Sequence, residues 1–215
     1  MSDVRDTFLD AGRVAAGVLA HPEVAERWDG PSLLEHFSMW GLAGHLVRAV
    51  GSVEIYLDRD EPGDETVTDA SGYYRAALGE GGATDLGSDL HVAIRERGEE
   101  TAAGGYEALL ADLDGLLARL GERLRAEART RRIRVLHDLV VPLDDYLTTR
   151  IIELLVHTDD LAVSAGLTPP EPAPEAAGIA IATLVDLACL RHGDLAVLRA
   201  LTRRERAPEG ALHVL

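Results

Sequence analysis

The chain has 215 residues, 47% of them hydrophobic, which is enough to bury one substantial core. Lys+Arg number 21 against 37 for Asp+Glu, a formal net charge of -16, and a surface of that sign repels the phosphates of a nucleic acid. Every basic residue is arginine, which excludes Schiff-base chemistry on a lysine, and the single cysteine, Cys189, excludes an intrachain disulfide and fits a reducing cytoplasm.

Met1 to Asp6 is acidic from the outset, with no apolar leader, and no apolar run approaches the roughly 20 residues of a membrane span, so a cytoplasmic protein is expected. Residues 3–20 carry Phe8, Leu9, Val14, Val18 and Leu19 at helical spacing. His21-Pro22 breaks that helix, and Pro22 opens a short turn toward Trp28. After the Gly30-Pro31-Ser32 loop, Ser32 and Glu35 have the capping-box spacing, but Ser38 is the better start for a long helix over 38–57. Its apolar stripe is Leu42, Leu46, Val50, Val53 and Leu57, and His45 lies beside it. Residues 58–68 form an acidic loop. It is not a calcium loop, because Pro62 stands where an oxygen ligand is needed and Asp69 where the bidentate glutamate belongs. Gly79-Glu80-Gly81-Gly82 is a loop that lacks the lysine of a phosphate-binding loop.

Residues 85–127 read as mostly helical, with an interruption at Gly104-Gly105 and a leucine stripe from Leu109 to Leu124 too short and wide for a coiled coil. The arginine-rich run 123–134 reads either as a solvated helix end or as an anchor for an anionic ligand. Residues 132–136 alternate weakly, as a short strand does. Pro142 opens the next helix, with Asp144 and Asp145 in its first turn, and Gly166 and Pro169-Pro170 end it. Residues 176–190 are apolar nearly all round and should be buried on more than one side. A last short helix spans 194–204, and the strand-like tail 211–215 is expected to pair with 132–136, leaning on helix 176–190. The pattern is all-α: a four-helix core of 3–20, 38–57, 85–127 and 142–165, an N-terminal bundle at 1–165, a C-terminal helical extension at 166–215 packed on it, and one short two-stranded β pair.

The helix 142–165 carries chemistry as well as packing. Glu153 and His157 are four residues apart and therefore share one face, yet their neighbours Ile152, Leu154, Leu155, Val156 and Leu161 are apolar. A buried carboxylate and a buried imidazole are costly unless they are paired or hold a metal. His45 is the one histidine on the core stripe of the second helix and the natural third member. Two histidines and a carboxylate leave room on a divalent ion for water or substrate. Hydrogen-bonded core histidines are the alternative that spacing leaves open.

The stretch Ser38-Met39-Trp40-Gly41-Leu42-Ala43-Gly44-His45-Leu46, followed much later by Thr149-Arg150-Ile151-Ile152-Glu153-Leu154-Leu155-Val156-His157-Thr158-Asp159-Asp160-Leu161, resembles the mycothiol-dependent maleylpyruvate isomerase N-terminal family, one of the DinB-like metal-binding bundles. The resemblance covers most of 1–165. It implies a four-helix bundle running up-down-down-up, with His45, Glu153 and His157 as ligands of a divalent metal, Zn2+ by expectation, at an open end. It implies mycothiol as co-substrate, and isomerisation or S-transfer on an electrophile. The segment after Gly166 is short for the isomerase's C-terminal domain, and Arg191-His192-Gly193-Asp194 resembles uncharacterised members, so the substrate stays open.

A thiol activated by such a metal needs no protein nucleophile, consistent with the absence of Gly-x-Ser-x-Gly and of paired cysteines; Cys189, on an apolar helix, reads as core. Arg150 reads as a carboxylate clamp or as a salt bridge to an acidic neighbour. Asp160, three residues after His157, orients that ring or makes an interhelical hydrogen bond. Trp40 lines the cavity or packs. Two function classes follow: a thiol-dependent isomerase or transferase, or a non-catalytic metal-binding or stress-related bundle. The expected partners are a small thiol and an electrophile, with no nucleic acid and no membrane, in a monomer or homodimer.

Overall fold

The computed structural model describes residues 3–63, 65–79, 89–206 and 208–214. Its helices are α1 (Val4–Leu19), α2 (Pro22–Glu26), α3 (Met39–Leu57), α4 (Ala70–Leu78), α5 (Asp89–Ala102), α6 (Tyr106–Ala126), α7 (Leu143–Ala165), α8 (Pro174–His192) and α9 (Asp194–Thr202). Local chemistry sets most of their ends. Asp3 caps α1 by accepting from the Arg5 amide, and Ser38 caps α3 by accepting from the Gly41 amide at 3.0 Å. Gly105 (φ 88°) separates α5 from α6, and Gly166 (φ 79°) closes α7, both in the left-handed region where a side chain is strained. The expected helix 85–127 is thus two helices. Its first residues, 85–88, and the loop residues 80–82 lie outside the described residues.

Four helices form the bundle. Around the ring α1 packs on α7, α7 on α3, α3 on α6, and α6 back on α1; α5 lies along the outside of α3. Phe8, Leu19, Leu42, Leu46, Leu120, Leu124, Tyr146, Ile151 and Leu161 fill the centre, each at most 2% exposed. Burying each such side chain contributes about 1.5–3 kcal/mol. Among the described residues no helix is long and apolar enough to cross a membrane.

The short β pair exists, but its partner differs from the expected one. Strand β1 (Arg132–Arg134) pairs antiparallel with β2 (Val140–Pro142), Ile133 opposite Val141. His137 and Asp138 take positive φ in the turn between them. A partner a few residues away closes a short loop, whereas the tail would have to close one of more than 70 residues at greater entropic cost. The tail 211–214 is turn and coil instead. Ala211 and Val214 are nonetheless buried, and Arg191 Nη1 donates to the Val214 carbonyl at 2.8 Å.

Three further differences matter. Helix α4 was not foreseen; Asp69 caps it by accepting from the Gly72 amide at 2.7 Å. Helix α8 packs on α4 and α7, with α9 alongside, but Ile181 and Leu190 are 62% and 51% exposed, so it is less enclosed than its composition predicts. The arginine run is spent on internal ion pairs: Arg123 with Asp58, Arg129 with Asp3, Arg131 with Glu61 and Glu127, and Arg134 with Glu65. The pairs with Asp58, Glu61 and Glu65 fasten the acidic loop to the end of α6 and to β1, and Arg129 reaches the residue that caps α1. Arg123 and Arg125 lie in the last turn of α6, and Arg125, Ala126 and the residues 128–130 are exposed, as the reading of a solvated helix end expects.

Candidate metal centre

Helix α3 supplies His45, and the neighbouring α7 supplies Glu153 and His157. The wall behind His45 is built by close backbone packing. A Cβ on Gly44 would lie 2.0 Å from the Gly98 carbonyl oxygen, and one on Gly98 would lie 2.5 Å from the Gly41 oxygen and 3.3 Å from His45 Cβ. Glycines at 41, 44 and 98 therefore let α5 lie against α3 beside the histidine.

The three side chains converge, one ligand atom from each lying within 4.8 Å of the other two. Glu153 Oε2 is 3.6 Å from His45 Nε2 and 3.4 Å from His157 Nε2, and the imidazoles meet edge to face at 4.7 Å between centroids. Those separations are too long for good hydrogen bonds. They match the spacing of about 3.3–3.4 Å that two ligands keep when each sits roughly 2.0–2.1 Å from a shared zinc-sized ion. The nitrogen and oxygen donor set suits the same ion.

The surroundings hold the trio in that arrangement. His157 Nδ1 lies 3.0 Å from Asp160 Oδ2, which assigns the ring proton to Nδ1 and leaves Nε2 facing the centre. Burial alone would depress the His157 pKa, but Asp160 and Glu153 push it up to about 9. Burial lowers the pKa of His45 against the partial opposition of Glu153. Burial alone would raise the Glu153 carboxyl, yet the two histidines and Arg150 hold it well below the usual carboxylate range, so it is ionised. His45 Nδ1 is buried without a partner among the described residues.

Beyond the trio, Tyr74 from α4 places its hydroxyl 3.0 Å from Glu153 Oε1 and 3.0 Å from the Thr149 carbonyl. Arg150 lies 4.8 Å over the Tyr146 ring and 5.8 Å from that of Tyr73, donates to Thr149 Oγ1 at 3.1 Å, and comes within 3.9 Å of Glu153 Oε1. Tyr146 in turn donates to Ser52 Oγ at 2.9 Å.

His45 and Glu153 line a cavity of about 310 Å³ whose walls include Tyr56, Tyr73, Tyr74 and Tyr146. It runs along α3 from His45 to Tyr56, roughly 16 Å at the helical rise per residue, and on to Arg59 just past the end of that helix. Arg48, Arg59, Arg97 and Arg150 line it, and among the described residues Glu153 is the one lining carboxylate. That balance opposes the -16 charge of the whole chain. Among the described residues Arg48 and Arg97 have no carboxylate partner, and the Arg59 guanidinium rests 4.7 Å over the Tyr56 ring.

The structure thus brings together His45, Glu153, His157, Asp160 and Arg150. It places Trp40 elsewhere, with Trp28 over a shallow surface hollow edged by Asp29, Glu96, Glu99 and Glu100. Cys189 is half-buried, and burial together with Asp194 and Asp186 pushes its thiol pKa up, away from thiolate. Sequence reasoning missed Tyr73, Tyr74, Tyr146, Arg48, Arg59 and Arg97. Two signals were there: Arg48 follows His45 by three residues, and Tyr146 precedes Arg150 by four, so each pair shares a helix face.

The sequence model of the mycothiol maleylpyruvate isomerase N-terminal domain matches residues 8–162, an interval that holds all three converging side chains and stops before α8. No curated protein and no solved structure matches the chain.

Proposed function

The chain belongs to the mycothiol maleylpyruvate isomerase N-terminal domain family, and on that premise we propose that it is a metal-dependent enzyme using mycothiol, or a closely related small thiol, as co-substrate. His45, Glu153 and His157 are its metal ligands, and their donor chemistry favours Zn2+. The bundle 1–165 carries the site, the extension 166–215 braces it, and the protein works in the cytoplasm. The observation that carries this reading is the 3.4 and 3.6 Å spacing of the three ligand atoms at one end of the cavity.

When bound there, a divalent ion supplies a positive charge that lowers a thiol's pKa toward neutrality. The chain's own residues do the rest. Asp160 holds the His157 tautomer that presents Nε2, and ionised Glu153 carries the negative charge that stabilises a cation between the rings. The tyrosine walls present apolar faces to the body of a substrate and limit the water around it. Arg48, Arg59, Arg97 and Arg150 favour an electrophile that carries acidic groups, because among the described residues no lining carboxylate other than Glu153 neutralises them. The reaction is isomerisation or S-transfer, with no covalent bond to the protein.

The test is metal analysis followed by turnover. Purified protein should hold about one divalent ion per chain, and His45→Ala, Glu153→Gln and His157→Ala should each lose most of it while helical content by circular dichroism stays near wild type. A variant that keeps full metal is not a ligand. Metal-loaded protein should then turn over small anionic electrophiles in the presence of mycothiol, read as a thiol adduct by mass spectrometry where the thiol is consumed, or as an isomer separated by chromatography where it is released again. Metal without any thiol binding would establish the non-catalytic alternative.

A further inference from the structure

Glu153 turns its two oxygens to different neighbours. Oε2 faces His45 and His157, whereas Oε1 points away from them, 3.0 Å from the Tyr74 hydroxyl and 3.9 Å from Arg150 Nη2. At 3.9 Å the guanidinium is beyond hydrogen-bond reach. The tyrosine hydroxyl has one proton, and its two near neighbours, Oε1 and the Thr149 carbonyl, are acceptors only, so it donates. The charged carboxylate is the stronger of the two acceptors. A carboxylate without that bond turns readily about its terminal torsion, whose wells are broad, and can offer both oxygens to one ion. The second oxygen would then fill the position a thiol needs.

We propose that Tyr74 is a positioning residue: its hydroxyl holds Oε1 and so makes Glu153 a one-oxygen ligand, keeping a place open on the metal. The inference rests on the metal-site reading above. It also gives α4 a function, since that helix supplies no ligand but sets Tyr74 against α7 and Tyr73 beside Arg150.

The experiment compares Tyr74→Phe with Tyr73→Phe in the full-length chain. Both remove one hydroxyl from the same helix, but only Tyr74 bonds Glu153. Zinc affinity is read by chelator competition, and ligand geometry by the visible spectrum of the Co2+-loaded protein. Tyr74→Phe should weaken zinc binding about 10- to 100-fold and shift and weaken the cobalt bands, and Tyr73→Phe, whose hydroxyl faces Arg150 and not Glu153, should change both much less. Wild-type affinity and spectrum in Tyr74→Phe, or equal changes in Tyr73→Phe, would overturn the inference while leaving the metal site intact. A wild-type chain that takes up no metal would defeat both. A measurement without any substitution stands beside these: the infrared difference between zinc-loaded and metal-free wild type should show the wide carboxylate splitting of one-oxygen binding, and a two-oxygen signature would refute the proposal.

Discussion

Gly44→Ala and Gly121→Ala are the same chemical change in two helix interiors, and the structure assigns them opposite signs. Each gains about 1 kcal/mol of helix propensity. At Gly121, in α6, the added methyl meets nothing within 4 Å, so the gain is kept. At Gly44 the methyl would lie 2.0 Å from the Gly98 oxygen and 2.9 Å from its carbonyl carbon. A close carbon–oxygen contact needs about 3.3 Å, so α3 and α5 must part by roughly 1.3 Å. The obstacle is backbone, and no rotamer change can clear it. Overpacking of this kind costs about 1–3 kcal/mol, and the severity of the overlap puts it at the upper end, for a net loss of about 2 kcal/mol. For a chain of this size that lowers Tm by about 4–8 °C, whereas Gly121→Ala should raise it by about 2–4 °C. Urea and thermal unfolding followed by circular dichroism measure both. Hydrogen exchange should show α5 amides losing protection in Gly44→Ala, because α5 is the element displaced. A Gly44→Ala chain as stable as wild type would show that the two helices are not in backbone contact, and the account of the wall behind His45 would fail with it.

Arg5 is 4% exposed, ion-paired with Asp144 at 2.7 Å and donating to the Leu124, Glu127 and Ala128 carbonyls at the end of α6. Arg5→Met should destabilise by about 3–5 kcal/mol in urea titration, and a loss below about 1 kcal/mol would show that Asp144 and those carbonyls do not depend on it. The hydrogen bond from Arg129 holds the Asp3 carboxyl down to about 2 against a usual 3.8. The folded value lies below the unfolded one, so the pairing contributes stability that is present above the unfolded value and lost as pH falls toward the folded one. The Tm gap between wild type and Asp3→Asn should therefore narrow between about pH 5 and pH 2, and a gap that stays constant would contradict the pairing. Deleting residues 208–215 removes buried Ala211 and Val214 and the bond from Arg191; it should lower Tm without changing metal content, and an unchanged Tm would show the tail to be idle.

What the sequence by itself determined was written over short spans. Ser38 marks the start of α3, Gly105 the break between α5 and α6, Pro142 and Gly166 the ends of α7, because caps, proline and left-handed glycine act within one turn of the chain. Glu153 and His157 shared a face for the same reason, since four residues are one helical turn. His45 could be joined to them through its place on an apolar stripe and through the family motif that both stretches form. The tertiary structure alone decided the rest. Whether Arg150 clamps a ligand or pairs with an acid was undecidable from its neighbours; its setting is two tyrosine rings, one of them on α4, and a loose approach to Glu153. Tyr74, Arg48 and Arg97 reach the cavity because of which helices adjoin in the ring and how each is rotated about its axis. The strand 132–134 chose the partner next to it in the chain over an equally apolar tail. Such contacts join residues far apart in sequence, and no local preference records them; the packing of the whole core, which buries as much apolar surface as the loops permit, selects them.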